Sequence, residues 1–156
     1  MGNPAPKNIY DSEWVQQETP RGTWRYLDIS GDHLGLRMEK LAPGETSSIH
    51  HYHTLEEEHV IAIEGNATLI LGIEELALKR GDHTWFRAGD EVGHHIVNRS
   101  SDPFTFLVIG ERKRGDVCFY PEHGVANVKA LNSGWKQFDV EQRTTLLQAS
   151  SSSEGR

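Results

Sequence analysis

The stretch Pro43–Gly65, PGETSSIHHYHTLEEEHVIAIEG, decides how the rest of the chain is read. It opens with a Pro-Gly turn and closes in VIAIEG, a β-branched apolar run that stops at a glycine, as a strand does before a tight turn. Between the two stands His51-Tyr52-His53, followed by Glu58. Successive side chains of a strand point to opposite faces, so His51 and His53 share one face. A second segment, Arg87–Asn98 (RAGDEVGHHIVN), brings His94. Six of the nine histidines fall within residues 50–59 and 94–95, so they are concentrated rather than scattered. A divalent ion needs several donors converging in one place, and imidazole with carboxylate suits Zn, Fe, Ni, Mn or Cu.

Working outward, the chain is a succession of short strands. TWRYLDI (23–29) is β-prone, and LGLRMEKL (34–41) alternates Leu34, Leu36 and Met38 with other residues. EHVIAIEGNATLILG (58–72) predicts two strands joined by a tight turn at Glu64-Gly65-Asn66. LALKRGDHTWFRAGD (76–90) predicts two more, punctuated at Gly81-Asp82 and Gly89-Asp90. HHIVN (94–98) and FTFLVIG (104–110) follow, separated by the loop 99–103. That makes roughly eight to ten strands and no helix of any length, which predicts an all-β antiparallel sandwich or small barrel. Residues 1–20 read as an N-terminal arm and 21–140 as a single barrel domain, in which 111–140 form a less regular extension wrapping the barrel. The Ser-rich residues 141–156 read as a disordered tail.

At 156 residues the chain can bury a core as one domain, and its 15 glycines and six prolines favour turns over helices. A formal charge of −7 argues against a broad nucleic-acid or anionic-membrane surface. The one basic cluster, Arg112-Lys113-Arg114 with Arg99 upstream, reads as a solvated loop, the alternative being a phosphate contact. A single cysteine, Cys118, excludes an internal disulfide framework and fits a reducing compartment. Within VCFY it reads as a small buried hydrophobe rather than a reactive thiol. No apolar run approaches the ~20 residues needed to span a bilayer. The expectation is a soluble, cytoplasmic protein without a nucleic-acid or membrane partner.

The two histidine segments resemble the paired motifs of the cupin superfamily. The first motif runs Gly-x5-His-x-His-x(3–4)-Glu-x6-Gly; Gly44, His51, His53, Glu58 and Gly65 stand in those places, with one extra residue between Gly44 and His51. The second runs Gly-x5-Pro-x-Gly-x2-His-x3-Asn; Gly81, Gly89, His94 and Asn98 fit it. Arg87 replaces the proline, and the gap before His94 is two residues longer. The resemblance implies a double-stranded β-helix, or jelly-roll barrel, that is usually dimeric and holds one divalent metal ion (Zn, Mn, Ni or Fe). It implies His51, His53, Glu58 and His94 as the metal ligands, with one or two positions open. A set using Glu57 or His95 instead is the alternative. Residues 98–124, NRSSDPFTFLVIGERKRGDVCFYPEHG, also look like a branch of small bacterial single-domain cupins, some labelled sugar-phosphate isomerase.

Strand parity places His50 opposite His51 and His53, and His95 opposite His94. His33, His83 and His123 stand isolated in the sequence, and each reads as an ordinary surface or satisfied histidine. Parity further predicts Val60, Ala62 and Ile96 inside the barrel, with Phe104, Phe106 and Val108, or their alternates, lining a neighbouring strand; Arg37, Trp85 and Tyr120 read as packing or solvated tips, the alternative being handles at its mouth. Asn98 either faces the interior or ties a turn. The functional expectation is a metal-dependent enzyme acting on a small oxygenated metabolite by isomerase or lyase chemistry through an enediolate, with Glu57 or Glu58 as base. The alternatives are an iron-dependent dioxygenase and a non-catalytic, metal-anchored binding protein. An outward apolar face and the arm with Trp14 and Val15 predict a homodimer.

Overall fold

The computed structural model describes residues 5–6, 8–19, 22–130 and 134–140. Residues 141–156, read as a tail, lie outside them. A 3-10 turn at Ile9–Asp11 leads into β1 (Val15–Thr19), β2 (Gly22–Asp28) and β3 (Leu34–Leu41). Then come β4 (Tyr52–His53), β5 (Glu58–Glu64), β6 (Asn66–Leu71), β7 (Glu74–Lys79), β8 (His83–Phe86) and β9 (His94–Val97). β10 (Phe104–Glu111), β11 (Val117–Tyr120), β12 (Val125–Ala130) and β13 (Gly134–Asp139) complete the order, with a second 3-10 turn at Pro121–His123. All pairings are antiparallel.

Three sheets close the barrel: six strands in the order β1-β2-β3-β10-β5-β8, four in the order β13-β12-β11-β4, and three in the order β7-β6-β9. The alternation in LGLRMEKL produces β3 over the residues expected. The turn between β5 and β6 is a single glycine. Gly65 has φ +81°, and a Cβ there would lie 2.5 Å from the Pro103 carbonyl oxygen, so both backbone conformation and space require glycine.

Two segments depart from the sequence reading. Val15–Thr19, within the residues read as an arm, adds an edge strand to the largest sheet by pairing with β2. Residues 111–140 are not an irregular wrapping: β11, β12 and β13 form a regular meander that reaches the barrel through two pairs, Cys118 with His53 and Phe119 with Tyr52. The strands there are short and interrupted by Pro121 and Gly124, so their period is too brief to stand out in sequence.

The core lies between the sheets. Leu41, Val60, Ala62, Leu69, Ile96, Phe104 and Phe106 are all buried. Phe104 and Phe106 stack at 5.3 Å between ring centroids. Each contributes about 1.5–3 kcal/mol by leaving water. Asn98 is fully buried and ties a turn: its Nδ2 donates to the Leu41 and Asp102 carbonyls, and its Oδ1 accepts from the Ser100 backbone and hydroxyl.

Candidate metal centre

Backbone pairing brings the two histidine segments together. The His94 N–H donates to the His51 carbonyl at 2.9 Å and the His51 N–H returns a bond to the His94 carbonyl at 3.3 Å. Residues that exchange both bonds are direct antiparallel partners, so their side chains leave the sheet on one face. The two rings are 4.7 Å apart. Glu58, at the start of β5, points into the same space, and one donor atom each of His51, Glu58 and His94 lies within 4.8 Å of the other two. His53 joins through His51, at 5.2 Å between rings. It forms a second group with His51 and Cys118, again within 4.8 Å.

Hydrogen bonds aim the donors. His51 Nδ1 lies 2.8 Å from the Ile49 carbonyl, which can only accept, so in the neutral ring Nδ1 carries the hydrogen and Nε2 presents its lone pair. His53 Nδ1 lies 2.6 Å from Asp116 Oδ2. Asp116 is fully buried, and its other oxygen accepts from the backbone N–H groups of Leu55 and Glu56. A carboxylate behind an imidazole is the arrangement that fixes a metal-binding histidine. His94 differs. It is 4% exposed, both ring nitrogens lack a hydrogen-bond partner among the described residues, and the ring lies flat on Phe86 at 3.5 Å. Glu58 Oε1 stands 3.6 Å from its Nε2, beyond hydrogen-bond distance.

The charges follow from this packing. Burial, then the neighbouring His94, lowers His51 to about 4 despite the opposing pull of Glu58. Burial would also lower His53, but Asp116 and Cys118 outweigh it and raise it to about 10. Burial would raise Glu58, yet the imidazoles of His94, His51 and His53 hold it at about 2. At neutral pH the cluster therefore contains an ionised carboxylate, a neutral His51 with a free lone pair, and a protonated His53 that gives up its Nε2 proton on binding a metal. The orphaned nitrogens of His94 and the nitrogen-and-oxygen donor set fit a divalent ion.

The donors line a cavity of about 630 Å³. Val60, Ile96, Phe106 and Val108 face it as parity predicts, and Arg37 and Tyr120 reach it, whereas Ala62 and Phe104 belong to the core behind. Trp85 is not at this mouth. It lies beside a second cavity of about 340 Å³, with His59 stacked on it at 6.1 Å. Arg37 and Arg112 both line the larger cavity near Asp28; the Arg37 guanidinium lies 5.1 Å over Trp24, and Arg112 donates to the Gly31 carbonyl. Asp28 is held below the usual carboxylate range by its bonds from Ser30 and then by these two guanidiniums.

The remaining histidines and acids have partners outside the donor cluster. Glu57 also lines the cavity, but its Oε1 lies 2.8 Å from His59 Nε2. His59 Nδ1 in turn meets His83 Nε2 at 2.9 Å, so His83 is an exposed histidine satisfied by a neighbour, within the reading the sequence offered. His50 contacts Glu122 at 3.0 Å and His95 edge to face at 5.3 Å. Arg99 is paired with Glu75. Sequence reasoning missed Asp116, and it read Cys118 only as packing. The one local signal was the alternation of Cys118 and Tyr120, which share a face of β11 and both line the cavity; Asp116 precedes the strand.

Residues 37–110 match the family model of the Cupin domain. No curated protein matches the chain. Among solved structures, a sugar phosphate isomerase from a cupin superfamily of Silicibacter pomeroyi is 28% identical, with 87% of this chain and 94% of that one covered at a TM-score of 0.78. A protein of Acidithiobacillus ferrooxidans with a provisional sugar-phosphate-isomerase name is 24% identical, covering 85% and 88%, also at 0.78. A predicted oxalate decarboxylase of Thermotoga maritima shares the fold at 17% identity, covering 68% and 97%, with a TM-score of 0.60. One barrel thus carries differently named chemistries, and activity has to be argued from the site.

Proposed function

The chain belongs to the cupin superfamily, and on that premise and the geometry of its cavity we propose that it is a metal-dependent enzyme that isomerises a small hydroxy-carbonyl compound, such as a sugar or sugar phosphate. His51, His53, Glu58 and His94 would hold the ion. The observation that carries the reading is His94, buried with both nitrogens unpartnered and facing an ionised carboxylate. Leaving such a group unsatisfied costs about 1–3 kcal/mol. Coordination removes that penalty.

When bound, the ion supplies positive charge beside the substrate oxygen that becomes negative as the adjacent carbon loses its proton. The chain's own groups do the rest. Glu57 takes the proton from one carbon and returns it to the neighbouring one, so the isomer has the same composition as the substrate. Glu58 is ionised far below neutrality and suits a ligand better than a base. The apolar wall of Val60, Ile96, Phe106 and Val108 excludes water from the donor end. Arg37 and Arg112, at the other end, orient hydroxyls or an anionic group.

The test is solvent deuterium exchange. Protein carrying its native metal is incubated in D2O with a panel of free and phosphorylated sugars, and exchange at the carbon next to the carbonyl is followed by NMR. Glu57→Gln is expected to retain metal and lose exchange by at least about 100-fold, the range of a lost proton carrier. Undiminished turnover in a His51→Ala, His53→Ala variant that contains no metal would refute the proposal.

A further inference from the structure

Two donor groups meet at His51, and only one is made of nitrogen and oxygen. The other contains Cys118, whose Sγ lies within 4.8 Å of a nitrogen of His51 and a nitrogen of His53, these two being within the same distance of each other. Its placement follows from strand register. Cys118 on β11 is the antiparallel partner of His53 on β4, and directly opposed residues carry their Cβ atoms about 4.5–5.5 Å apart on one face. The thiol is 3% exposed and lines the large cavity rather than the packed core behind it. On His53, Nδ1 is occupied by Asp116, and on His51, Nδ1 is occupied by the Ile49 carbonyl. In both rings Nε2 is therefore the nitrogen left for the side where Sγ stands. His94, the unpartnered ring of the other group, is 4.7 Å from His51.

We propose that Cys118 supplies a sulfur donor to the metal centre, joining the imidazoles of His51 and His53, so that the centre combines nitrogen, oxygen and thiolate ligation. This rests on the metal-dependent reading above. Protein ligands sit about 2.0–2.3 Å from a zinc-like ion, so donors of one ion lie up to roughly 4.6 Å apart, and a movement of tenths of an ångström brings Sγ into range. Coordination releases the thiol proton and the His53 Nε2 proton to solvent and forms one metal–sulfur and one metal–nitrogen bond at this corner. A thiolate in the set shifts preference toward zinc, cobalt or nickel and away from manganese or magnesium, which favour oxygen.

The experiment uses the full-length chain, stripped of metal and reloaded with Co(II) alone. Ligation by Cys118 is expected to give an intense sulfur-to-cobalt charge-transfer band in the near ultraviolet and a sulfur shell in X-ray absorption of the same sample. Cys118→Ser is expected to lose both while still binding cobalt, with about 10-fold or greater loss of affinity for cobalt and less for manganese. Cobalt bound stoichiometrically to the wild type with only nitrogen and oxygen neighbours would overturn the sulfur ligand and leave the metal centre standing. No stoichiometric cobalt binding would overturn both. The decisive spectra come from the wild type, so a poorly folded variant does not blunt the test.

Discussion

Two corners of the same cavity solve the problem of a buried imidazole in opposite ways. At the β4–β11 corner, His53 is tied to a fully buried carboxylate, itself anchored by two backbone N–H groups, and is raised to about 10. At the β8–β9 corner, His94 has no hydrogen bond from either nitrogen among the described residues and is held by stacking on Phe86. His51 stands between them, its pKa lowered by burial and then by His94. Polar anchoring fixes a ring's orientation and stabilises its charge. Apolar stacking fixes its plane alone and leaves both nitrogens waiting for a partner. A site built from both corners is rigid on one side and unsatisfied on the other, which suits a bound cation.

The largest expected effect breaks the unsatisfied corner. Four ligands sharing a binding free energy of about 10 kcal/mol or more contribute a few each, so His94→Ala should weaken zinc binding by on the order of 100-fold or more, read by competition with a chromophoric chelator. An unchanged affinity would show that His94 is packing. At the anchored corner, Asp116→Asn keeps the shape but removes the charge behind His53. It should cost about 10–100-fold in metal affinity, and urea unfolding of the metal-free variant should show lower stability.

A third outcome separates the corners by pH, in the metal-free protein. His51 has a folded value of about 4 against 6.5 unfolded, so between these the unfolded chain binds more protons and stability falls on acidification. His53, at about 10 against 6.5, acts in reverse: its contribution is complete below 6.5 and is lost as pH rises toward 10. Stability should therefore peak near pH 6.5, the acid limb being worth up to about 3 kcal/mol and the alkaline limb up to about 5 kcal/mol. Asp116→Asn should flatten the alkaline limb and spare the acid one; denaturant midpoints across pH 4–10 would show a contrary shape at once. The smallest effect belongs to Phe86→Leu. It should cost about 1 kcal/mol of stability and loosen the His94 ring, changing metal affinity by less than about 10-fold.

What the sequence disclosed follows from the range of each signal. Period-2 alternation and glycine turns are local, so β3, β5, β6 and the Gly65 turn could be read directly. His51, His53, Glu58 and His94 stand out because two short motifs carry them. Asp116 and Cys118 did not, since Cys118 reaches the cavity through the pairing of β11 with a strand of only two residues, and Asp116 meets His53, Leu55 and Glu56 across 60 or more positions, separations over which local pattern says little. Glu57 was visible as an acid beside Glu58, but its bond to His59 needed the fold. The His59–His83 contact, 24 positions apart in the chain, was hidden for the same reason.

That two-residue strand has one more consequence. β4 is the link through which the β11–β13 sheet is stitched to the barrel, and it also bears His53, next to His51. Whatever draws these rings together must also pin down the carboxy-terminal sheet. Ligation should then be felt as slowed amide exchange along β11 and β12, well beyond the cavity wall, so that the closing sheet doubles as a reporter of occupancy.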